Sequence, residues 1–271
     1  MRVAVLVKQV PDSWAVKRLR ADDLRLDRDA CDRVLNDLDE YAVEQALQWK
    51  DSRGDEVVLV CMGPAEAEVA LRRGLSMGAD SAMLVSDAAL AGLDAVGTAQ
   101  VLAAAIARVA PDVVLTGVAS TDGATGVVPA MVAEFLGWPG LMRAVRVDIG
   151  DGGDRGVVVE RESDHERVEL KASLPAVVSI QDHINTPRFP NFKGIMAAKQ
   201  KVIDVVTLAD LGLDVESARD VESARAVVSA AHDVPARTAG PKVVDDAGSS
   251  AAVIVEFLEE RGLLRDVQVG A

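Results

Sequence analysis

Short valine-rich runs recur along this chain, separated by longer segments rich in Ala, Leu and Glu. The runs are Val3–Val10, Glu56–Met62, Ala82–Val85 and Val113–Thr116, and the segments Asp39–Lys50, Pro64–Met77, Ala95–Val109 and Gly126–Leu136 between them have helical length. A run such as Val57-Val58-Leu59-Val60 is apolar on both faces that a strand presents, which suits a strand covered on each side by crossover helices. The rhythm predicts a doubly wound, mostly parallel α/β sheet. Local punctuation agrees. Pro64 can open a helix, Asp94 or Thr98 can cap the third, and Gly78 and Gly137 can stop the second and fourth.

Near residue 145 the period changes. Ala144–Ile149 and Val157–Arg161 alternate apolar with polar around the turn Gly150-Asp151-Gly152-Gly153, and Val168–Leu170 and Val177–Ile180 continue as strands, so an antiparallel hairpin is expected beside the parallel strands. Beyond Ile203 the composition shifts again: residues 204–271 hold 13 acidic and 6 basic side chains. Ser217–Gly240 suits an arm or linker, and the amphipathic stretch Ala251–Leu264 suits a closing helix. The expected organisation is an α/β domain over 1–203 and a C-terminal arm over 204–271.

The charge balance removes several classes. With 43 acidic against 29 basic residues the chain carries −14, whereas nucleic-acid backbones and anionic membrane surfaces select clustered Lys and Arg. No apolar run reaches the roughly 18 residues of a membrane span. The N-terminal MRVAVLVKQVPD reads as a first strand and not as a signal peptide. Cys31 and Cys61 are too few for a disulfide framework, so a cytoplasmic setting is expected, and three histidines without HExxH or CxxC argue against a metal site.

In an open α/β sheet, ligands bind beyond the carboxyl ends of the strands, where the strand order reverses. There the chain places Pro11-Asp12, Cys61-Met62-Gly63-Pro64 and the segment GVASTDGATG at 117–126. The glycines and hydroxyls of this last segment precede a helix whose free N–H groups favour a phosphate, although a tight βα turn selects the same residues for geometry alone. Neither GxGxxG nor GxxxxGK[ST] is present, which disfavours a dinucleotide fingerprint and a P-loop. Asn36 or Asp37 can cap the helix opened by Asp39 and Glu40; Asp39, Glu40 and Glu44 suit a solvated first turn, and no catalytic set emerges. His183–Lys201 is the exceptional segment. It carries Arg188, Lys193, Lys199 and Lys201 without an acid, plus Phe189 and Phe192, and its Pro187, Pro190 and Gly194 are expected to preclude regular helix or strand. It reads as a docking surface, against the alternative that both rings are buried.

Several of these segments, VKQVPD at 7–12, NDLDEYAVEQAL at 36–47, GPAEAEVALRRGLSMGAD at 63–80, STDGATGVVPAMVAEFLGWP at 120–139, LPAVVSI at 174–180 and PRFPNFKGIMAAKQK at 187–201, together resemble the β subunits of electron transfer flavoproteins. The resemblance implies an adenine-nucleotide-binding α/β fold that holds a structural AMP, with the redox FAD bound mainly by the α subunit near the interface. By position it implies nucleotide contacts from Leu6, Asn36, Asp37, Leu38, Asp39, Met62 and Gly117, a phosphate cradle of Asp122, Gly123, Ala124, Thr125, Gly126 and Val127, and Val128 beyond it. Leu38 stands where relatives carry a Phe near the flavin, Ala124 and Val127 replace polar residues, and Trp14 is a candidate to compensate. The resemblance makes Arg188, Phe189, Phe192, Lys193, Ile195 and Met196 the surface that docks acyl-CoA or related dehydrogenases. It turns the acidic arm toward the α subunit and makes a membrane quinone oxidoreductase the acceptor. The chain itself is then an electron-carrier subunit and not an enzyme. The alternatives are a stand-alone adenine-nucleotide sensor resembling universal stress proteins, and a β subunit of an electron-bifurcating flavoprotein with a second FAD in the AMP position.

Overall fold

The structure, a computed structural model, describes residues 1–150, 156–213, 226, 228–232, 234–238, 240, 242 and 250–264. In chain order its elements are β1 (Arg2–Val7), β2 (Gln9–Pro11), β3 (Arg33–Leu35), α1 (Asp37–Arg53), β4 (Glu56–Met62), α2 (Glu68–Met77), β5 (Ser81–Val85), α3 (Ala95–Val109) and β6 (Val113–Gly117). They continue with α4 (Val128–Leu136), β7 (Gly140–Ile149), β8 (Gly156–Glu162), β9 (Arg167–Ser173), β10 (Ala176–Ile180), α5 (Phe192–Gln200), β11 (Ile203–Val206) and α6 (Ser250–Glu260). Contacts divide the chain into Met1–Ser229, which contains the sheet, and Ala230–Ala271, which contains α6.

The main sheet has nine strands in the order β11-β5-β4-β1-β6-β10-β7-β8-β9. Pairing is parallel from β11 to β7, and β8 and β9 extend the sheet as antiparallel strands. Side chains alternate across a strand, so each valine-rich run supplies two cores. Val3, Val5, Val57 and Leu59 face α1 and α2, while Ala4, Leu6, Val58 and Val60 face α3 and α4. Each fully buried Leu or Val contributes about 2 kcal/mol of transfer free energy. The doubly wound arrangement follows: the helices after β1 and β4 cover one face, and those after β5 and β6 cover the other.

Several expectations needed correction. The run Val3–Val10 is not one strand, because β1 ends at Val7 and β2 pairs with β3 in a separate two-stranded sheet. Pro64 does not open α2 directly; it leads into a 3₁₀ turn at Ala65–Ala67. The segment 183–201 is not wholly irregular, since α5 fills 192–200. Pro187 and Pro190 precede that helix, and Asn191 caps it by accepting from the Gly194 N–H at 2.8 Å. Asp39 and Glu44 do not lie in a solvated turn; both are buried. The caps at Asp94, Gly78 and Gly137 stand where the sequence places them.

The strand Ile203–Val206 straddles the compositional change at 203/204 and forms the sheet edge against β5. The acid excess therefore begins within sheet-bearing chain. Half of the expected linker 217–240, including 217–225, and most of the turn at 150–153 lie outside the described residues. Within the second unit, Arg261, which follows α6, holds its guanidinium 4.3 Å from the ring centroid of Phe257 on that helix.

Candidate functional site

Because α1 leaves β1 toward one face and α4 leaves β6 toward the other, the carboxyl ends of these adjacent strands splay apart. A crevice at such a switch point is a consequence of the winding. Here it is a cavity of about 370 Å³ lined by Leu6 near the end of β1 and Lys8 just after it, Met62 at the end of β4, Thr116 and Gly117 at the end of β6, and the loop leading into α4. The start of α3, from Asp94 to Thr98, supplies a further rim.

Asn36 joins two sides of the crevice. It occupies the N-cap position of α1, yet its side chain does not cap that helix. Instead Nδ2 donates to the Ala119 carbonyl at 2.9 Å, and Oδ1 accepts from the Thr121 N–H at 3.1 Å. A fully buried amide is thereby satisfied and the loop after β6 is tied to α1. Asp39, one turn on, accepts from the Lys8 N–H at 2.8 Å. Gly117 faces it so closely that a Cβ would lie 2.5 Å from Asp39 Oδ1 and 2.7 Å from the Leu38 carbonyl oxygen. Burial pushes the Asp39 carboxyl up to about 7, against the opposing pull of nearby N–H donors and the Lys8 ammonium.

Asp122 has the opposite balance. Its side chain is 1% exposed and receives Lys8 Nζ at 2.8 Å and Arg28 Nη2 at 2.5 Å. Burial works against its charge, but the two cations outweigh burial and hold the carboxyl well below the usual range. Lys8 Nζ also lies 3.3 Å from Ser120 Oγ. Beyond Asp122, Ala124 and Gly126 both take the left-handed conformation, at φ +50° and +64°, and turn the chain into α4. No side chain caps the first turn of α4. Free N–H groups, two cations and the Ser120 and Thr125 hydroxyls form a donor set suited to an anion, and Leu6, Met62 and Val128 give the cavity an apolar wall.

Of the sequence-predicted nucleotide residues, the crevice brings together Leu6, Asp39, Met62, Gly117, Gly123, Thr125, Gly126 and Val128. Asn36 and Asp122 act behind this lining through the bonds just given. Asp37 is exposed at the start of α1, Leu38 is half-buried, and Ala124 and Val127 are exposed outside the lining. Trp14 is 94% exposed. Sequence reasoning missed Lys8 and Arg28. Lys8 directly follows β1 at the switch point, a detectable signal, whereas Arg28 lies in the irregular excursion between β2 and β3.

On the first unit, Phe189 and Phe192 are 88% and 79% exposed, and Lys193, Ile195 and Met196 beside them are also exposed. The rings are therefore not core residues. Arg188 is turned inward, with Nε 2.7 Å from Glu44 Oε2 and Nη1 2.9 Å from Asp51 Oδ2. Among the described residues no cluster of His, Cys, Asp and Glu could hold a metal ion, and no helix is long and apolar enough to cross a membrane.

Parallel strands, helices wound on both faces and a glycine-walled crevice at the switch point define an open α/β protein of the doubly wound class. The family described as "Electron transfer flavoprotein domain" matches residues 23–211. A protein named electron transfer flavoprotein subunit beta from Mycobacterium tuberculosis (strain ATCC 25618 / H37Rv) is 42% identical over 262 residues, covering 94% of this chain and 97% of that protein. Its namesake from Thermoanaerobacterium thermosaccharolyticum is 37% identical over 217 residues, covering 79% and 81% respectively. The chain belongs to the electron transfer flavoprotein family, among the relatives of its β subunits.

Proposed function

We propose that this chain is the β subunit of a heterodimeric electron carrier that accepts electrons from acyl-CoA or related dehydrogenases. Its electrons would pass to the respiratory chain through a membrane quinone oxidoreductase. The observation that carries the docking role is the exposure of Phe189 and Phe192 beside Lys193, in a chain of net charge −14. Apolar anchors with a basic flank suit a partner with an acidic rim around an apolar pocket. FAD enters this reading through the family, held mainly by the α subunit, and supplies the redox chemistry when bound. The β chain orients and docks, and carries no catalytic residues of its own. Its acidic arm, including α6, fastens the α subunit. Free Cys31 and Cys61 suit a cytoplasmic setting.

The crevice residues fit AMP. Leu6, Met62 and Val128 offer apolar surface to a base, while Lys8, Arg28, Ser120 and Thr125 offer donors to a phosphate. Asp122 pairs with both cations and holds them beside the loop that leads into α4. A cavity of about 370 Å³ lies near the lower end of small-ligand sites, on the scale of a mononucleotide. A bound AMP would stabilise the fold by linkage. One observation favours a second FAD instead: an adjoining cavity of about 670 Å³ shares Lys8, Arg28 and Met62 with the first.

Denaturing the purified heterodimer and identifying the released nucleotides decides between them. AMP and FAD in equal amounts are expected; two FAD and no AMP would establish the second occupant. For docking, Phe192→Ala should weaken reduction of the heterodimer by an acyl-CoA dehydrogenase while flavin content stays unchanged. Equal coupled reduction kinetics in variant and wild type would remove the docking role.

A further inference from the structure

The docking reading assigns partner contact to the exposed residues of the 187–201 segment, but it leaves open what holds them in place. Arg188 directly precedes Phe189, and one edge of its guanidinium is turned to the buried Glu44. Its Nε and Nη2 meet the two oxygens of Glu44 at 2.7 and 3.0 Å, its own N–H approaches Glu44 Oε2 at 3.2 Å, and Nη1 meets Asp51 at 2.9 Å. Such bidentate geometry fixes orientation as well as distance. Glu44 has a side chain only 6% exposed, so a docking protein cannot reach it. Three residues upstream, Asn185 Nδ2 donates to the Tyr41 carbonyl at 3.0 Å. The stretch entering Phe189 is therefore bonded to α1 at two points.

The stretch leaving Phe192 is held by α2. A Cβ on Gly194 would lie 2.4 Å from the Ser76 carbonyl oxygen, and Arg72 Nη1 donates to the Ala198 carbonyl at 2.7 Å and the Lys201 carbonyl at 2.5 Å. The two supporting helices are joined by Arg73 and Glu40 at 2.9 Å. The Phe-bearing bend thus spans two helices that are themselves linked.

We infer that Arg188 and Glu44 form a clasp that positions the phenylalanines for the partner dehydrogenase, with Arg188 a positioning residue and not a contact residue. This inference rests on the docking reading. An ordered loop has less conformational entropy to lose on association, so the clasp acts on affinity and leaves the electron-transfer step itself unchanged.

The test uses the complete heterodimer with an acyl-CoA dehydrogenase as electron donor. Glu44→Gln and Arg188→Lys should each speed hydrogen exchange over residues 185–193 and raise the KM for the heterodimer roughly tenfold, with kcat unchanged. The double variant should be no worse than either single one, because both remove the same bond. If Glu44→Gln fails to fold, Asp51→Asn, at the solvent end of the same guanidinium, should show the same effects at smaller amplitude. Loss of coupling in Arg188→Ala without change in Glu44→Gln or Asp51→Asn would overturn the clasp and make Arg188 a direct contact. Phe192→Ala separates the two failures. If it raises KM while Glu44→Gln does not, the clasp alone falls; if neither raises KM, the docking reading falls with it.

Discussion

Asp39 ionises in the unfolded chain near 3.8 and in the folded chain at about 7, because burial disfavours its charge more than the neighbouring donors favour it. Between these values the unfolded state has released a proton that the folded state keeps. Stability from this group is therefore full below about pH 4 and falls as pH rises toward about 7, by on the order of 4 kcal/mol. Asp39→Asn should remove that slope. Urea unfolding of both proteins across this range should show the variant gaining on the wild type as pH rises; parallel curves would show that Asp39 titrates as it does when unfolded. Asp122 acts in the other direction, contributing stability that is lost as pH falls through its lowered value. The family resemblance implied Asp39, Gly117 and Asp122 as nucleotide contacts, whereas the residues themselves read Asp39 as solvated and did not show the opposite electrostatics of the two acids. Those depend on Lys8, Arg28 and Gly117, which come from three separate parts of the chain.

At the scale of elements, α5 shows how close approach replaces a large buried side chain. Only Ala198 of this helix is buried, so its seat on α2 depends on backbone proximity at Gly194 and on the carbonyl contacts of Arg72. In Gly194→Ala the new Cβ would meet a backbone oxygen that cannot swing away. Overpacking of this kind costs about 1–3 kcal/mol. Hydrogen exchange should quicken in α5 with α1 and α3 unchanged, and unaltered protection in α5 would show that α2 yields instead. The central strands and the four helices after them were legible because their apolar periods are strong. The helix α5 was not, since its prolines read as breakers when they in fact stand before its cap. Short strands such as β2, β3 and β11 left no periodic signal, and their pairing is set by the tertiary fold.

For the whole molecule, charge and shape divide the work of association. A net charge of −14 repels an acidic partner at long range, and Lys193 and Lys199 are exposed exceptions beside the Phe192 anchor. The total was readable from composition; which basic residues remain unpaired at the surface was not, because the inward turn of Arg188 is a tertiary fact. Electrostatic complementarity acts mainly on encounter, whereas buried aromatic anchors act mainly on dissociation. Replacing Lys193 and Lys199 together by Ala should therefore slow association with an acyl-CoA dehydrogenase by several-fold at low salt. The difference should fade as the screening length shrinks to about 8 Å near physiological ionic strength. Phe192→Ala should instead raise the dissociation rate with little dependence on salt. Stopped-flow measurement across ionic strength separates the two rates. A lysine effect confined to dissociation, and equal at all salt concentrations, would mean that these side chains bond directly to the partner and do not steer it.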